Sequence, residues 1–463
     1  MKQIYFLALV FTAVLVVLVP PFQVPDENSH FYRSYHLSMG ELMGERSDDQ
    51  RLGGKLPVSL RRFAMDFLPI REDPQQKIEL RTLRSAWRQP LKHEHQVFTD
   101  FANVGYYAPF PYLAAAAAML PLRWFDAPPI ALLYAARASH LALYFGLAAL
   151  ALRWLPYRRE LFAFLLFLPS GLFIAAGVSG DVFTNGLSFL FLALCLRLLD
   201  DPDYRRSRYF VVLAASLLVI TLSKPVYALL VGVVWLIWNR DRQRTSRSWS
   251  IGISVAVVMT LVVWSMVAGN GFIPYDQYHP EHRLGQQLNP GVAPDAQLRF
   301  VIANPLSYAK TTVISFAESA PATMAHYFGK FGWEKNYLLT WSLLGLALTS
   351  LLLAMTHSSG DQFANRQLNI TERLWFALTG VLMTVGVATV IYLQWNPVGN
   401  DRIWSLSGRY FIPVFPLFFL AMPPSYRWLL PFPPRRMAIW VLATIYLVAL
   451  HAVTIRYYGG LEF

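Results

Sequence analysis

The sequence predicts an all-α integral membrane protein, built as a bundle of about eleven transmembrane helices. Of its 463 residues, 55% are hydrophobic and only 15% are charged, a composition typical of a polytopic membrane protein and not of a soluble core. Apolar runs recur to the end of the chain, so we interpret residues 1–463 as a single transmembrane domain. The net charge of +12 does not indicate a nucleic-acid partner, because much of the excess lies in short loops between apolar runs.

The predicted spans are the apolar runs that are long enough to cross, or nearly cross, a bilayer. They are residues 4–20, 130–152, 161–178, 182–199, 209–222, 226–238, 251–269, 337–355, 374–393, 410–422 and 437–455. A further run at 108–122 contains Pro109, Pro111 and Pro121, which fit poorly in a helix exposed to lipid. We expect this run to form a helix that lies at the outer interface and packs on the bundle.

The arginine-rich loops set the predicted orientation. With the N-terminus inside and eleven spans, all four basic clusters fall on the cytoplasmic side. The clusters are Arg153, Arg158 and Arg159; Arg205, Arg206 and Arg208; Arg240, Arg242, Arg244 and Arg247; and Arg427, Arg435 and Arg436. Two large external segments remain, residues 21–129 and 270–336, and loops of this length are usually functional. We expect interfacial helices in both, with short helices at residues 46–100 over the mouth of the bundle.

An adjacent pair of acids, Asp26 and Glu27, follows the first span closely. Two neighbouring carboxylates repel each other and resist desolvation, which tends to raise the pKa of one of them and suits the pair to proton transfer. The alternative is that Asp26 caps a helix running through Tyr35. Capping explains one acid but leaves Glu27, His30 and Arg33 unexplained, so we favour a functional role.

Further polar residues gather at the predicted outer ends of later spans. Asp181 and Asn185 lie at the start of the span 182–199. Lys224 lies between the spans 209–222 and 226–238, and Arg409 and Tyr410 lie at the start of the tenth span, 410–422. Lys224 and Arg409 could each simply reach lipid headgroups. Two cations beside external acids could also bind a lipid phosphate and activate a hydroxyl, since fixed positive charge stabilises a departing phosphate and a carboxylate can accept a proton.

We expect no metal site from the remaining polar clusters. The acidic residues at 200–203 lie beside arginines in a predicted cytoplasmic turn, which favours a solvated helix end. The run His93-Glu94-His95 has no further ligand at metal spacing, so we interpret it as a surface loop. The single cysteine, Cys195, lies in an apolar run and excludes an intrachain disulfide.

The run that begins at Pro25 has the pattern Pro-Asp-Glu-x-x-His-Phe-x-Arg. With its flanking residues it resembles a bacterial family of polytopic membrane proteins long catalogued as of unknown function. Later landmarks occur in the order expected for that family: Gly177-Val178-Ser179-Gly180-Asp181, Lys224-Pro225, Phe331-Gly332-Trp333 and Gly408-Arg409-Tyr410-Phe411-Ile412-Pro413. The family in turn resembles the GT-C superfamily of integral-membrane glycosyltransferases.

That resemblance implies an inverting glycosyltransferase on the external face of the bacterial cytoplasmic membrane, with a polyprenyl-phosphate sugar as donor. The acceptor would be a surface glycan or its lipid-linked precursor, such as O-antigen of lipopolysaccharide or a wall polymer. Asp26 or Glu27 would deprotonate the acceptor hydroxyl, and Asp181 would match the superfamily's second acid. Some members use a divalent metal, but an adjacent Asp-Glu pair resembles the metal-independent type. The residues expected to bind substrate are His30, Arg33, Asn185, Lys224, Arg409 and Tyr410.

The main alternative is a transporter or flippase for lipid-linked glycans. Such a protein needs ionisable residues at mid-membrane depth, where the main candidates are His140 and His451, and often shows symmetry between its halves. The sequence shows no internal repeat. A third interpretation, a non-catalytic assembly partner, gives no reason for the external acids.

Overall fold

The computed structural model describes residues 1–204, 207–269, 271, 273–282, 290–333, 338–356, 368–423 and 433–459, which are mostly helical. The α-helices are α1 (Lys2–Leu18), α2 (Glu27–Ser38), α3 (Val58–Glu72), α4 (Leu80–Ala86), α5 (Leu113–Trp124), α6 (Pro129–Trp154), α7 (Arg159–Leu166), α8 (Pro169–Ala175), α9 (Gly180–Asp200), α10 (Ser207–Ser223), α11 (Val231–Asp241), α12 (Arg244–Gly269), α13 (Pro294–Ala303), α14 (Pro305–Gly329), α15 (Thr340–Met355), α16 (Ile370–Trp395), α17 (Phe415–Ala421) and α18 (Pro434–Tyr458). Short 3-10 segments lie at Phe110–Tyr112, Pro202–Tyr204, Pro225–Leu230, Tyr275–Gln277, Pro280–His282 and Gly408–Phe411.

Five of these helices, α6, α9, α12, α16 and α18, are long and apolar enough to cross a membrane. The membrane class is therefore supported, and the count of eleven spans stays a prediction. Two predicted spans are interrupted, those at 161–178 and 410–422, whereas 226–238 lies in one apolar helix that begins with a 3-10 turn. Pro169 lies at the first of the two breaks, and Pro225 separates the helix that contains 226–238 from α10, because proline lacks the N–H that would continue the preceding helix. Some residues of the predicted basic clusters and spans lie outside the described residues: Arg205, Arg206, Arg427 and Tyr337.

Helix α9 lies at the centre of the bundle and α12 at its edge. In α9, 89% of the most apolar stretch is buried, against 11% in α12. α9 packs against α6, α8, α10 and α11. It begins at Gly180, where the Ser179 hydroxyl accepts a hydrogen bond from the Asp181 N–H at 3.2 Å and caps the helix. The most buried of the five candidate spans therefore has Asp181 in its first turn.

The segment predicted to hold only short helices, residues 46–100, also contains most of a three-stranded antiparallel sheet. Strand β1 (Glu45–Arg46) pairs with β2 (Leu52–Pro57), and β2 pairs with β3 (Gln96–Asp100). Two glycines allow this packing, since a Cβ at Gly53 would overlap the Thr99 carbonyl and one at Gly54 would overlap the His36 ring. Helices α3 and α4 lie between β2 and β3, so the prediction of helices alone was wrong in part.

The run predicted to form an interfacial helix, residues 108–122, is present largely as α5. It packs against α2 and α6, and Trp124 and Phe125 at its end are mostly exposed. Exposed aromatic rings are typical of the boundary between lipid and water. This helix borders α2, which begins one residue after Asp26.

The predicted orientation can be tested with single cysteines at two exposed positions, Asp48 and Ser248, in a chain carrying Cys195→Ala. We expect a membrane-impermeant maleimide to label Asp48→Cys in intact cells. Ser248→Cys should react only after permeabilisation, because Arg244 and Arg247 place that loop inside. Labelling of Ser248→Cys in intact cells at the rate seen for Asp48→Cys would contradict the orientation.

Candidate functional site

Two carboxylates and two cations meet at one end of the bundle. Asp26 precedes α2, Asp181 lies in the first turn of α9, Lys224 follows α10, and Arg409 precedes α17. Arg409 Nη2 donates to Asp26 Oδ2 at 2.7 Å, and its Nε lies 4.0 Å from Asp181 Oδ2. Lys224 forms an ion pair with the other oxygen of Asp181. We call these four residues the charge cluster; its acids and cations alternate, and all four side chains are less than a quarter exposed.

Asp26 adopts a backbone conformation that few residues other than glycine tolerate, with φ 61° and ψ 11°. It is the N-cap residue of α2, yet its side chain makes no capping hydrogen bond. The carboxylate instead accepts hydrogen bonds from Arg409 and, at 3.4 Å, from Asn103 Nδ2. Capping therefore does not explain Asp26, and strained backbone of this kind concentrates at functional sites.

Glu27 lies in a different environment from its neighbour. Its side chain is fully buried and forms a two-bond ion pair with Arg137, both bonds at 2.7 Å. The backbone N–H groups of Phe22 and Val178 donate to the same two oxygens at 2.9 and 3.0 Å. With four donors on its two oxygens, Glu27 has no free site for a substrate proton. Of the two acids predicted as alternative bases, Asp26 or Glu27, this geometry favours Asp26.

Arg137 is a functional residue that was not predicted from the sequence. All five of its guanidinium N–H donors are used, two on Glu27 and three on the carbonyls of Val16, Val19 and Pro20 at 2.7–3.0 Å. The available signal was an arginine inside the apolar run 130–152, since ionisable residues within apolar spans nearly always have a partner.

Two other predicted substrate-binding residues, Arg33 and Asn185, lie away from the cavities that border the charge cluster. The Arg33 guanidinium is buried and donates to the carbonyls of Glu41 and Leu42, so it ties α2 to the chain that follows. Asn185 is buried one turn after Asp181 on α9. A role of either residue in binding substrate stays a prediction.

The charge cluster borders a cavity of about 210 Å³, which we call the acidic cavity. Asp26, Asp181, Lys224 and Arg409 all line it, together with His30. His30 Nδ1 lies 3.0 Å from the Tyr112 hydroxyl. Burial lowers the pKa of His30 to about 4, so the ring is neutral at pH 7 and serves as a hydrogen-bonding group. His30 thus lines the same cavity as the charge cluster, and its predicted binding of substrate stays a prediction.

A second cavity of about 350 Å³, the basic cavity, adjoins the first. Its lining includes Lys330, His326 and Arg409, and none of the described residues that line it is a carboxylate. The two cavities share Trp333, Ser405, Arg409 and Tyr410 as a common wall. Lys330 and His326 were not predicted as site residues from the sequence, although the family motif Phe331-Gly332-Trp333 directly follows Lys330.

Tyr410 lies between the two cations of the charge cluster, as its predicted site role requires. The Arg409 guanidinium carbon is 5.0 Å and the Lys224 Nζ is 5.1 Å from the centre of its ring, distances at which a cation is attracted to an aromatic face. Its hydroxyl also accepts a hydrogen bond from Arg409 at 2.9 Å. Tyr410 thereby fixes the spacing of two positive charges on the shared wall.

These features define a polytopic helical membrane protein with a buried charge cluster between two cavities. The chain belongs to the family described as "Predicted membrane protein (DUF2142)", whose model matches residues 9–418. That match includes every member of the charge cluster. No curated protein and no solved structure matches the chain.

The buried pair can be tested by substituting its cation. Arg137→Met leaves the buried Glu27 carboxylate without its cation and with only two backbone N–H donors, which should cost about 3–5 kcal/mol of stability and lower the apparent melting temperature in detergent. Arg402→Met is the matched control, because Arg402 pairs with Glu318 at 2.7 Å on the exposed surface. An equal effect of the two substitutions would contradict the anchoring role.

Proposed function

We propose that this protein is a GT-C-type inverting glycosyltransferase of the bacterial cytoplasmic membrane, with its site facing outside. It moves a sugar from a polyprenyl phosphate to a surface glycan or glycolipid, such as O-antigen or a wall polymer. The observation that carries the proposal is the charge cluster, in which a carboxylate and two cations flank the wall between two cavities. That arrangement suits a reaction in which a hydroxyl loses a proton while a phosphate leaves.

The acceptor hydroxyl enters the acidic cavity and attacks the anomeric carbon of the donor sugar. The bond from that carbon to the phosphate oxygen breaks, the new glycosidic bond forms on the opposite face, and the configuration inverts. Asp26 accepts the hydroxyl proton, and polyprenyl phosphate leaves with the bonding electrons. Asp26 is the preferred base because it lines the acidic cavity and is 23% exposed, whereas Glu27 is fully buried.

Arg409 couples donor binding to activation of the base. In the structure its guanidinium holds Asp26 Oδ2. A donor phosphate at the shared wall competes for the same guanidinium and draws it toward the basic cavity. The exchange frees an oxygen of Asp26 for the acceptor hydroxyl, so the base becomes available only once the donor is bound.

The basic cavity suits the phosphate end of the donor. Lys330, directly after α14, and Arg409, before α17, both line it, and Lys224 reaches the Tyr410 side of the shared wall. Fixed cations placed where negative charge develops stabilise the departing phosphate. Since Arg409 and Lys224 already supply positive charge beside Asp26 and Asp181, the proposed step uses no metal ion.

Asp181 lies between Lys224 and Arg409 and sets the distance between these two cations. Lys224 contacts one of its oxygens and Arg409 approaches the other. The capped first turn of α9 fixes the carboxylate in place. We propose that Asp181 positions the phosphate ligands and the acceptor, and does not itself exchange protons.

The flippase alternative differs in its chemistry. A flippase moves a lipid-linked sugar without breaking the sugar–phosphate bond, so release of free polyprenyl phosphate separates the two functions. The assay uses purified protein in lipid vesicles, a panel of radiolabelled polyprenyl-phosphate hexoses, and extracted lipid-linked glycans as acceptors. Transport of intact donor with no polyprenyl phosphate released from any pair would favour the flippase.

Asp26→Asn tests the base. The amide keeps the shape of the side chain and can still accept from Arg409, but it no longer takes up a proton. We expect transfer to fall roughly 10²- to 10⁴-fold at normal expression. Asp126→Asn, a half-exposed acid of the same external segment, should leave activity unchanged. Full transfer by Asp26→Asn would exclude the assignment of Asp26 as the base.

Lys224→Ala tests the phosphate ligand. Loss of one charge-assisted hydrogen bond, worth about 1.5–3 kcal/mol, should raise the KM for donor roughly 10- to 100-fold. The defect should shrink as the donor concentration rises. The exposed Lys55 on β2 provides the control Lys55→Ala. A fall in kcat with an unaltered KM for donor would mean that Lys224 does not bind the ground-state phosphate.

A further inference from the structure

A group of three potential metal ligands lies outside the candidate site, in the external segment that follows α12. His279, Glu281 and His282 each offer one ligand atom, and these atoms lie within 4.8 Å of one another. The cause is local: Pro280–His282 forms a 3-10 turn, and side chains three residues apart in such a turn eclipse each other. The two imidazole rings are accordingly 5.0 Å apart, centre to centre.

We propose that His279, Glu281 and His282 bind a divalent transition-metal ion, with Zn²⁺ the best match. Two imidazoles and a carboxylate are a ligand set that zinc accepts in a tetrahedral site with one open position. Zinc–ligand bonds of about 2.0–2.2 Å place neighbouring ligand atoms about 3.4 Å apart. From a spread of 4.8 Å, each ligand atom needs to move by less than about 1 Å, which small side-chain rotations supply.

Asp100 gives the cluster a feature that simple surface histidines lack. Its Oδ2 lies 3.4 Å from His282 Nδ1. A carboxylate on one ring nitrogen fixes the proton there, orients the ring and leaves the other nitrogen, Nε2, to coordinate a metal. The other oxygen of Asp100 accepts a hydrogen bond from the Tyr278 hydroxyl at 2.9 Å, so the orienting carboxylate is itself held in place.

His279 supplies a further observation. Its Nδ1 is buried and has no hydrogen-bond partner among the described residues. A buried polar atom normally has a partner, and a ring nitrogen without one is unfavourable. A metal ion coordinated by Nδ1 would supply the missing partner. Coordination by Nε2 would instead hold the ring proton on Nδ1.

The proposed site would connect the two external segments. The Leu52 N–H donates to the Tyr278 hydroxyl at 3.0 Å, and the His279 N–H donates to the Gln50 carbonyl at 3.3 Å. Asp100 ends β3, and Asn103, which contacts Asp26, follows closely. A metal at this position would therefore clamp the segment after α12 to the sheet beside the acidic cavity, as a structural element separate from the reacting groups.

Metal content tests the proposal directly. The full chain, purified in detergent with a tag that contains no histidine, is stripped with chelator, incubated with ZnCl₂, desalted and analysed by inductively coupled plasma mass spectrometry. We expect about one zinc ion per chain. His279→Ala and His282→Ala should each lose at least nine-tenths of it. His95→Ala, an exposed external histidine, should retain all of it.

Two further measurements test the site without relying on the alanine variants, which could fail to fold. Glu281 is exposed, so Glu281→Gln should fold normally and weaken zinc affinity by roughly 10-fold or more, because a neutral amide is a poorer zinc ligand than a carboxylate. Cobalt bound to the unsubstituted protein should show the intense visible bands of a four-coordinate site. Zinc below a tenth of an ion per chain, a six-coordinate cobalt spectrum, or full zinc binding by His279→Ala or His282→Ala would each overturn the proposal.

Discussion

The buried ion pair between Glu27 and Arg137 is the interaction on which the site depends. It joins the end of α1, the start of α2, the middle of α6 and the turn before α9 through one guanidinium and one carboxylate. Burying two charges is costly unless their bonds are complete, and here every donor and acceptor direction is used. The pair therefore ties these four elements together, and removal of either residue leaves the other charge buried without its partner.

Because that arrangement is fixed, the neighbouring residues are placed with little freedom. Asp26 directly precedes Glu27, and its left-handed backbone turns its carboxylate to the other side, toward Arg409. Asp181 lies three residues after Val178, whose N–H is bonded to Glu27. One acid of the adjacent pair thus holds the scaffold, and the other faces the cavity. The two neighbouring acids therefore have different surroundings, and only Asp26 is accessible from the cavity.

Much of the site could be predicted from the sequence, for identifiable reasons. Asp26, Asp181, Lys224, Arg409 and Tyr410 were found because each interrupts or ends an apolar run, a local signal that needs no knowledge of packing. Glu27 and Arg33 have the same local signal but are bonded within the protein. Their roles depended on partners elsewhere, such as an arginine 110 residues away for Glu27. Lys330 and His326 lie in a segment whose approach to Arg409 has no local signature.

The sequence by itself determined the membrane class, the positions of most helices and the concentration of charged groups at helix ends. These follow from hydrophobicity and from the cost of placing charge in lipid, which are properties of each segment alone. Only the tertiary structure decided which charges pair. The bond from Asp26 to Arg409 joins residues 383 positions apart, and the sheet between α2 and α5 pairs strands separated by two helices. Such contacts depend on how the elements pack together. The sequence alone allows any acid to pair with any cation, and only packing decides which cation lies within reach of a given acid.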